Sequence, residues 1–146
     1  MSSPRSVRFE AGTLAKLSSY AARHPGMTSS SAAALLVEEG LRMDAHPGVL
    51  FHEGPTGRRA VLAAGPDVWE VIRAIRDTRA AEPDLGDDEI LALVCENTGL
   101  EMPALRVAVN YYGSFPDEIN GLLTDADAIE ADLERSLENA RHLLDA

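Results

Sequence analysis

The chain has 146 residues, of which 45% are apolar, and a formal net charge of −11. This length fits one domain or two small ones, and the sequence has neither a run of 18 apolar residues nor a secretory signal pattern. Cys95 is the only cysteine, which excludes an internal disulfide. We therefore expect a cytoplasmic protein without a membrane segment.

The charge is unevenly distributed between the start of the chain and the rest. Residues 1–24 have a balance of +3, and the remaining residues have one of −14. The Debye length is about 8 Å at physiological salt, so a basic patch can bind phosphate although distant parts of the protein are acidic. The acidity therefore weakens a nucleic-acid-binding hypothesis but does not exclude it.

Residues 1–43 predict one strand followed by two helices. Residues 6–10, "SVRFE", alternate polar and apolar side chains, as expected of a β-strand. Helical spacing begins at Thr13, "HPGM" interrupts it, and Thr28 is a good N-cap for the second helix. The apolar positions of the two helices are Leu14, Leu17, Ala21, Ala33, Leu36, Val37 and Leu41.

Such a unit is too small to be stable as a single copy. A lone strand has two unpaired edges, and one thin layer of helices rarely makes a sufficient core. A symmetric dimer solves both problems, because two strands pair antiparallel and four helices pack beneath them. We therefore predict a homodimer formed through residues 6–10 and the first two helices, with Arg8 of both copies on one exposed face.

The stretch "SVRFEAGTLAKLSSYAARHPGMTSSSAAALLVEEGL" resembles a ribbon-helix-helix DNA-binding domain, the fold of MetJ and Arc. The resemblance implies that the antiparallel ribbon enters the major groove of double-stranded DNA. Ser6 and Arg8 would then read bases, with Arg5 at the margin. The residues that would bind a DNA phosphate lie at the start of the second helix and are Thr28, Ser29 and Ser30.

The sequence departs from this family along the second helix. Ser29, Ala34 and Leu35 occupy positions at which relatives commonly or often have arginine. Without these cations the contacts with the DNA backbone are weaker. The alternative for residues 1–43 is therefore a dimerisation module that has lost its DNA affinity.

Residues 44–123 predict a small domain with one β-hairpin. Val49–Phe51 and Ala60–Leu62 flank the turn-rich stretch "GPTGRR". A helix capped by Asp67 follows the hairpin. Helix-turn-helix spacing comes next, with two helices and a glycine turn between them: residues 87–97, Gly99, and residues 102–112.

This second module resembles the small winged-helix-like antitoxin domains that are encoded beside PIN-like ribonuclease toxins. "HPGVLFHEG", "GRRAVLAAGPDVWEVI" and "VAVNYYGSFPDEI" carry the resemblance. It implies a type II antitoxin that represses its own operon and binds a toxin through residues 44–146. Arg58 and Arg59 would enter the acidic metal site of the ribonuclease, and the alternative for this pair is a solvent-exposed turn.

Residues 124–146 predict an amphipathic helix, which Thr124 would cap with Asp127 reaching back. A helix of this kind either covers its own domain, which is the default expectation, or lies in a partner's groove. In the second case Ile129, Leu133 and Leu137 would bind the partner. The whole apolar stripe consists of Ala126, Ile129, Leu133, Leu137, Ala140 and Leu144.

No arrangement of residues in the sequence indicates an enzyme. The four histidines lack the spacing of zinc ligands, and neither a nucleophile elbow nor a dinucleotide-binding fingerprint is present. We therefore expect no catalytic residue, no metal and no cofactor.

Together these patterns predict a mainly α protein with short β elements. A ribbon-helix-helix dimerisation module would precede a small helical domain with helix-turn-helix or winged-helix-like spacing and one β-hairpin. The expected function is a homodimeric transcriptional regulator that is also an antitoxin. The alternatives are a stand-alone regulator whose C-terminal half serves oligomerisation or sensing, and an interaction scaffold that binds no DNA.

Overall fold

A computed structural model describes residues 2–63 and 65–145, so that Met1, Ala64 and Ala146 lie outside the described part. The described residues form six helices and one antiparallel hairpin, which confirms the mainly α composition with short β elements. The chain divides into two compact units, unit 1 (Met1–Ala45) and unit 2 (His46–Ala146). In chain order the elements are α1 (Ala11–Ala22), α2 (Ser29–Ala45), β1 (Val49–Gly54), β2 (Gly57–Leu62), α3 (Val68–Ala81), α4 (Asp87–Thr98), α5 (Met102–Ser114) and α6 (Pro116–Asp145).

Unit 1 contains both predicted helices, but the predicted strand over residues 6–10 is absent from the single chain. A strand is defined by backbone hydrogen bonds to a neighbouring strand, and no described segment of the chain pairs with these residues. Glu10 has extended backbone angles, φ −65° and ψ 155°, just before α1 begins at Ala11. Residues 2–10 therefore lead into α1 without secondary structure.

Thr28 caps α2, as the sequence predicts. The Thr28 Oγ1 accepts a hydrogen bond from the Ser31 backbone N–H at 3.1 Å, and the Ser31 Oγ accepts one from the Thr28 N–H at 2.9 Å. This reciprocal arrangement satisfies two N–H groups that the first turn of a helix leaves unpaired. The start of α2 is consequently well defined.

Unit 1 has a very thin interior. Among its described residues only Ala21, Ala32 and Glu39 are buried, and two of these are alanines. Small side chains remove little apolar surface from water, so they contribute little to stability. The larger apolar side chains of unit 1 remain partly or fully exposed.

The hairpin of unit 2 forms where the sequence predicts it. Val49 pairs with Leu62 and Gly54 with Gly57, so a two-residue turn joins the strands. Gly57 has a φ of +116°, which only glycine adopts without strain. The strands are longer than predicted, and Arg58 and Arg59 lie inside β2 rather than in the turn.

The three helices after the hairpin begin and end at signals visible in the sequence. The Asp67 side chain and the Glu70 side chain form a reciprocal capping box at the start of α3. Gly99 ends α4 in the left-handed conformation, φ +75°, and its N–H donates to the Cys95 carbonyl at 2.9 Å. Pro103 lies in the first turn of α5, where a missing N–H costs nothing.

The Tyr111 ring lies at the centre of unit 2 and is fully buried. Its ring contacts Phe115 at 4.8 Å and His46 at 5.4 Å between centroids, and Phe51 of β1 lies at 6.4 Å. The Tyr111 hydroxyl donates to the Glu118 Oε2 at 2.6 Å. One side chain of α5 therefore holds the hairpin and the beginning of α6 together. The buried residues that surround it include Val49, Ala60, Leu62, Val68, Val71, Ile90, Val94, Leu105, Ala108, Ile119 and Leu123.

The prediction that Thr124 caps a separate C-terminal helix is wrong. Thr124 lies within α6, and its hydroxyl donates to the Asn120 carbonyl at 3.0 Å, the usual back-bond of a threonine inside a helix. The helix begins instead at Pro116, since proline suits the first helical position. Asp127 is consequently free of a capping role.

We expect Tyr111→Phe to lower the free energy of unfolding of the full chain by about 1.5–3 kcal/mol, because it removes a hydrogen bond to a carboxylate and keeps the buried ring. Chemical denaturation followed by circular dichroism measures the change. The matched control is Tyr112→Phe, whose hydroxyl bonds the exposed Asn120 at 3.1 Å and should matter less. Equal losses in the two variants would contradict the central role of Tyr111.

Candidate functional site

The segment before α1 has two faces. Ser3, Arg5, Val7 and Phe9 line a groove of unit 1, whereas Ser6, Arg8 and Glu10 are not part of its lining. This alternation is what the "SVRFE" pattern predicts for the apolar residues. Arg5 is on the groove side, and the predicted base-reading residues Ser6 and Arg8 are exposed.

The groove of unit 1 has a volume of about 670 Å³ and a mainly apolar lining. Val7 and Val37 line the groove and are 69% and 56% exposed, and Leu41, one helical turn after Val37, is 62% exposed. A contiguous exposed apolar patch marks an interaction surface in a soluble protein. The groove lining is completed by α1 and α2 residues, among them Leu14, Leu17, Ser29, Ser30, Ala33 and Ala34.

The predicted phosphate-binding residues lie together at the start of α2. Thr28, Ser29 and Ser30 are all exposed. The backbone N–H and the hydroxyl of Thr28 are both engaged with Ser31, as described above, so this residue acts mainly as a cap. The N–H groups of Ser29 and Ser30 belong to the first turn, which has no intrahelical acceptor for them, and the helix dipole is positive there.

The arginine pair of unit 2 is placed differently from the prediction. Arg58 and Arg59 are adjacent in β2, so their side chains extend to opposite faces of the hairpin. The Arg59 Nε lies 3.0 Å from the Asp67 Oδ2, which also accepts a hydrogen bond from the Trp69 Nε1 at 3.1 Å. The Arg59 guanidinium also lies against Gly54, in the space that a Cβ would occupy.

This geometry changes what the arginine pair can do. Both side chains are half-buried, so the alternative of a solvent-exposed turn is wrong for them. Arg59 already has a carboxylate partner within unit 2. Two side chains on opposite faces of a strand do not enter one acidic site together. The sequence already contains a signal for this arrangement, because adjacent side chains of a strand point to opposite faces of the sheet.

From Asp127 onwards, the apolar stripe of α6 is exposed in the single chain. Ile129 is 67% exposed, Leu133 59% and Leu137 52%, and every described residue from Asp127 onwards is exposed. The expectation that this helix covers its own domain is therefore wrong for residues 127–145. The three residues predicted to bind a partner lie on the exposed stripe.

Two arginines of α3 hold the first part of this exposed helix. Arg76 makes a bidentate pair with the Asp127 carboxylate at 2.9 and 3.1 Å, and Arg73 pairs with Glu130. The hydrogen bonds from Arg76 lower the pKa of the Asp127 carboxyl below its ordinary value. Neither pair is recognisable in the sequence, because each joins residues more than 50 positions apart.

A second groove, in unit 2, runs along the same stripe. It has a volume of about 410 Å³ and lies between α6 and a wall formed by the hairpin and α3. The wall carries Trp69 and two guanidinium groups. The α6 side of the groove consists of Leu122, Asp125, Ala126, Ile129, Glu130 and Leu133, and the wall of Thr56, Arg59, Trp69 and Arg73.

The helix-turn-helix part of unit 2 is poorly suited to DNA. Arg106 and Asn110 are exposed on α5. The first turn of α4, however, contains Asp87, Asp88 and Glu89, which repel phosphate. Unit 1 is therefore the better candidate for a nucleic-acid interface.

Within residues 2–63 and 65–145, no group of three or more His, Cys, Asp or Glu side chains is arranged to hold a metal ion. None of the helices in that part of the chain combines the length and apolar character needed to cross a bilayer. Comparison with models of known families, with curated proteins and with solved structures finds no match to this chain.

Proposed function

We propose that the protein is a homodimeric, sequence-specific DNA-binding transcriptional regulator of the ribbon-helix-helix type. The observation that carries the proposal is the apolar groove of unit 1, which is flanked by an extended segment with no strand partner in the chain. A second copy supplies both missing parts, an antiparallel strand for residues 6–10 and apolar side chains for the groove.

The dimer explains why unit 1 exposes so much apolar surface. Full burial of one Val, Leu or Phe side chain contributes about 1.5–3 kcal/mol relative to exposure. Val7, Val37 and Leu41 are more than half exposed in the single chain. A symmetric dimer would cover these side chains in both copies, so that the gain in burial is counted twice. Three buried residues within unit 1 do not supply a comparable gain.

The DNA-binding part of the proposal follows from the two faces of the N-terminal segment. With Val7 and Phe9 directed into the groove, the ribbon presents Ser6 and Arg8 outward from both copies. Arginine is the residue best suited to bind guanine in the major groove. Ser29 and Ser30 would contact the DNA backbone through their N–H groups, without the arginines that relatives have there.

A toxin-binding role for unit 2 is the second candidate function. It is favoured by the exposed α6 stripe, a surface suited to a protein partner. The unit 2 arginine pair contributes less than predicted, since Arg59 is engaged with Asp67. The stand-alone regulator needs no toxin and assigns α6 to oligomerisation.

We expect Val37→Glu to convert the unit 1 dimer into monomers without unfolding it. The side chain is 56% exposed in the single chain, so a charge is tolerated there but not inside a dimer interface. Both this variant and its control also carry Leu133→Glu, so that the exposed stripe of α6 does not contribute to self-association. Sedimentation equilibrium measures the mass, and circular dichroism the helix content. Ser19→Glu, at an exposed position of α1 outside the groove, is the matched control. An unchanged mass for Val37→Glu would refute the unit 1 interface.

We expect Arg8→Ala to weaken specific DNA binding at least about 30-fold, because a dimer loses two base contacts worth about 1–3 kcal/mol each. The duplex is one selected from a random pool, and fluorescence anisotropy gives the affinity at fixed salt. Lys16→Ala, which removes one exposed cation of the same unit, should reduce affinity much less. Equal effects of the two substitutions would indicate general electrostatic attraction only.

If unit 2 neutralises a toxin, co-expression of the full chain should restore growth to cells that express a toxic neighbouring gene. Leu133→Glu should abolish this rescue, because it places a charge in the exposed stripe. Arg135→Ala, on the opposite face of α6, should preserve the rescue. Rescue by Leu133→Glu would move the toxin-binding surface away from the stripe, and the absence of a toxic neighbour would favour the stand-alone regulator.

A further inference from the structure

The α6 stripe has an internal symmetry that a single helix does not need. Leu122, which lines the same groove of unit 2 as Ala126, extends the stripe by one residue. From Leu122 to Leu144, the successive spacings between the apolar residues are four, three, four, four, three and four positions. This order is the same in both directions from Leu133. The side-chain sizes follow the same symmetry, since the series is Leu122, Ala126, Ile129, Leu133, Leu137, Ala140 and Leu144.

We propose that α6 pairs antiparallel with α6 of a second copy, with Leu133 at the two-fold axis, and that this is a self-association surface separate from the groove of unit 1. An isologous interface brings each residue against the residue related to it by the two-fold axis. Ala126 of one copy then lies level with Ala140 of the other, and Leu122 with Leu144. The overlap is about 33 Å long, at 1.5 Å per residue.

The groove of unit 2 favours the antiparallel direction. The wall with Trp69 and Arg73 runs beside the stripe only as far as Leu133, whereas the later half of α6 is bare on all sides. In an antiparallel pair, the later half of α6 from each copy lies beside the wall of the other copy. Each groove is then filled by the C-terminal part of the partner's α6. If the two α6 helices were parallel, the walls of both copies would lie beside the same part of the helix pair and would collide.

The arginines of the wall already have carboxylate partners within one chain. Arg59 faces Asp67, and Arg73 faces Glu130. The proposed pairing of the two helices therefore depends on the apolar stripe and not on ion pairs between the copies.

Repulsion between two acidic helices is the main cost of self-pairing, and α3 reduces it. Residues 125–145 contain seven carboxylates. Asp127 is paired with Arg76, Glu130 with Arg73 and Asp132 with Arg135, all within one chain. Glu130, one of the two carboxylates that line the groove, is therefore paired before a second copy approaches. The remaining repulsion is screened by salt.

Chemical cross-linking of the full chain tests the register directly. In a Cys95→Ser background, Ala126→Cys and Ala140→Cys are prepared separately, mixed, and treated with a short bismaleimide, which bridges positions too distant for a disulfide. We expect the mixture to give about tenfold more cross-linked dimer than either variant alone, since only the mixture places the two thiols level. Raising the salt concentration should increase the yield.

The matched control replaces Ala126→Cys with Ala131→Cys, an exposed alanine on the opposite face of α6, and should give background yield. Adding Leu133→Glu to both cysteine variants should remove the cross-link. Adding Val37→Glu should leave it, because that side chain belongs to unit 1, so failure of either interface is recognised independently. A yield no higher than that of the Ala131 control overturns the antiparallel pair. So does self-linking of Ala126→Cys alone, or a yield that falls as salt rises.

Discussion

Unit 1 cannot cover its own apolar side chains, and the proposed function depends on this shortage of internal burial. Its two helices bury only two alanines and Glu39, while Val7, Val37 and Leu41 remain largely in water. Apolar surface of this extent is removed from water by association when the chain is too short to bury it internally. In the proposed dimer, DNA reading would be coupled to dimerisation, because the base-reading surface would exist only when two segments pair.

Unit 2, in contrast to unit 1, buries a cluster of large apolar side chains within one copy. Tyr111 connects α5 to the hairpin through its ring and to α6 through its hydroxyl. Arg73 and Arg76 then continue the attachment of α6 as far as Glu130. Unit 2 therefore ends in a helix of 30 residues that α3 contacts as far as Glu130 and whose later half is exposed to solvent.

Local signals in the sequence predicted local structure well and long-range structure poorly. The Thr28 cap, the Gly99 turn and the hairpin each depend on residues within a few positions of one another. The strand over residues 6–10 requires a partner that a single chain does not contain. Thr124 was mistaken for a cap because threonine also bonds within a helix, and the Arg76–Asp127 pair joins positions that only the fold brings together.

The segregation of the two exposed surfaces, one at each end of the sequence, has a consequence for assembly size. An isologous contact uses the same patch on both molecules and is therefore satisfied by a single neighbour. A molecule with two such patches can bind the same second molecule through both patches, which gives a closed dimer. It can also bind a different molecule through each patch, which gives an open chain of molecules. If both surfaces self-associate as proposed, the relative placement of the two units, which meet at residues 45 and 46, would select between a closed pair and a concentration-dependent filament.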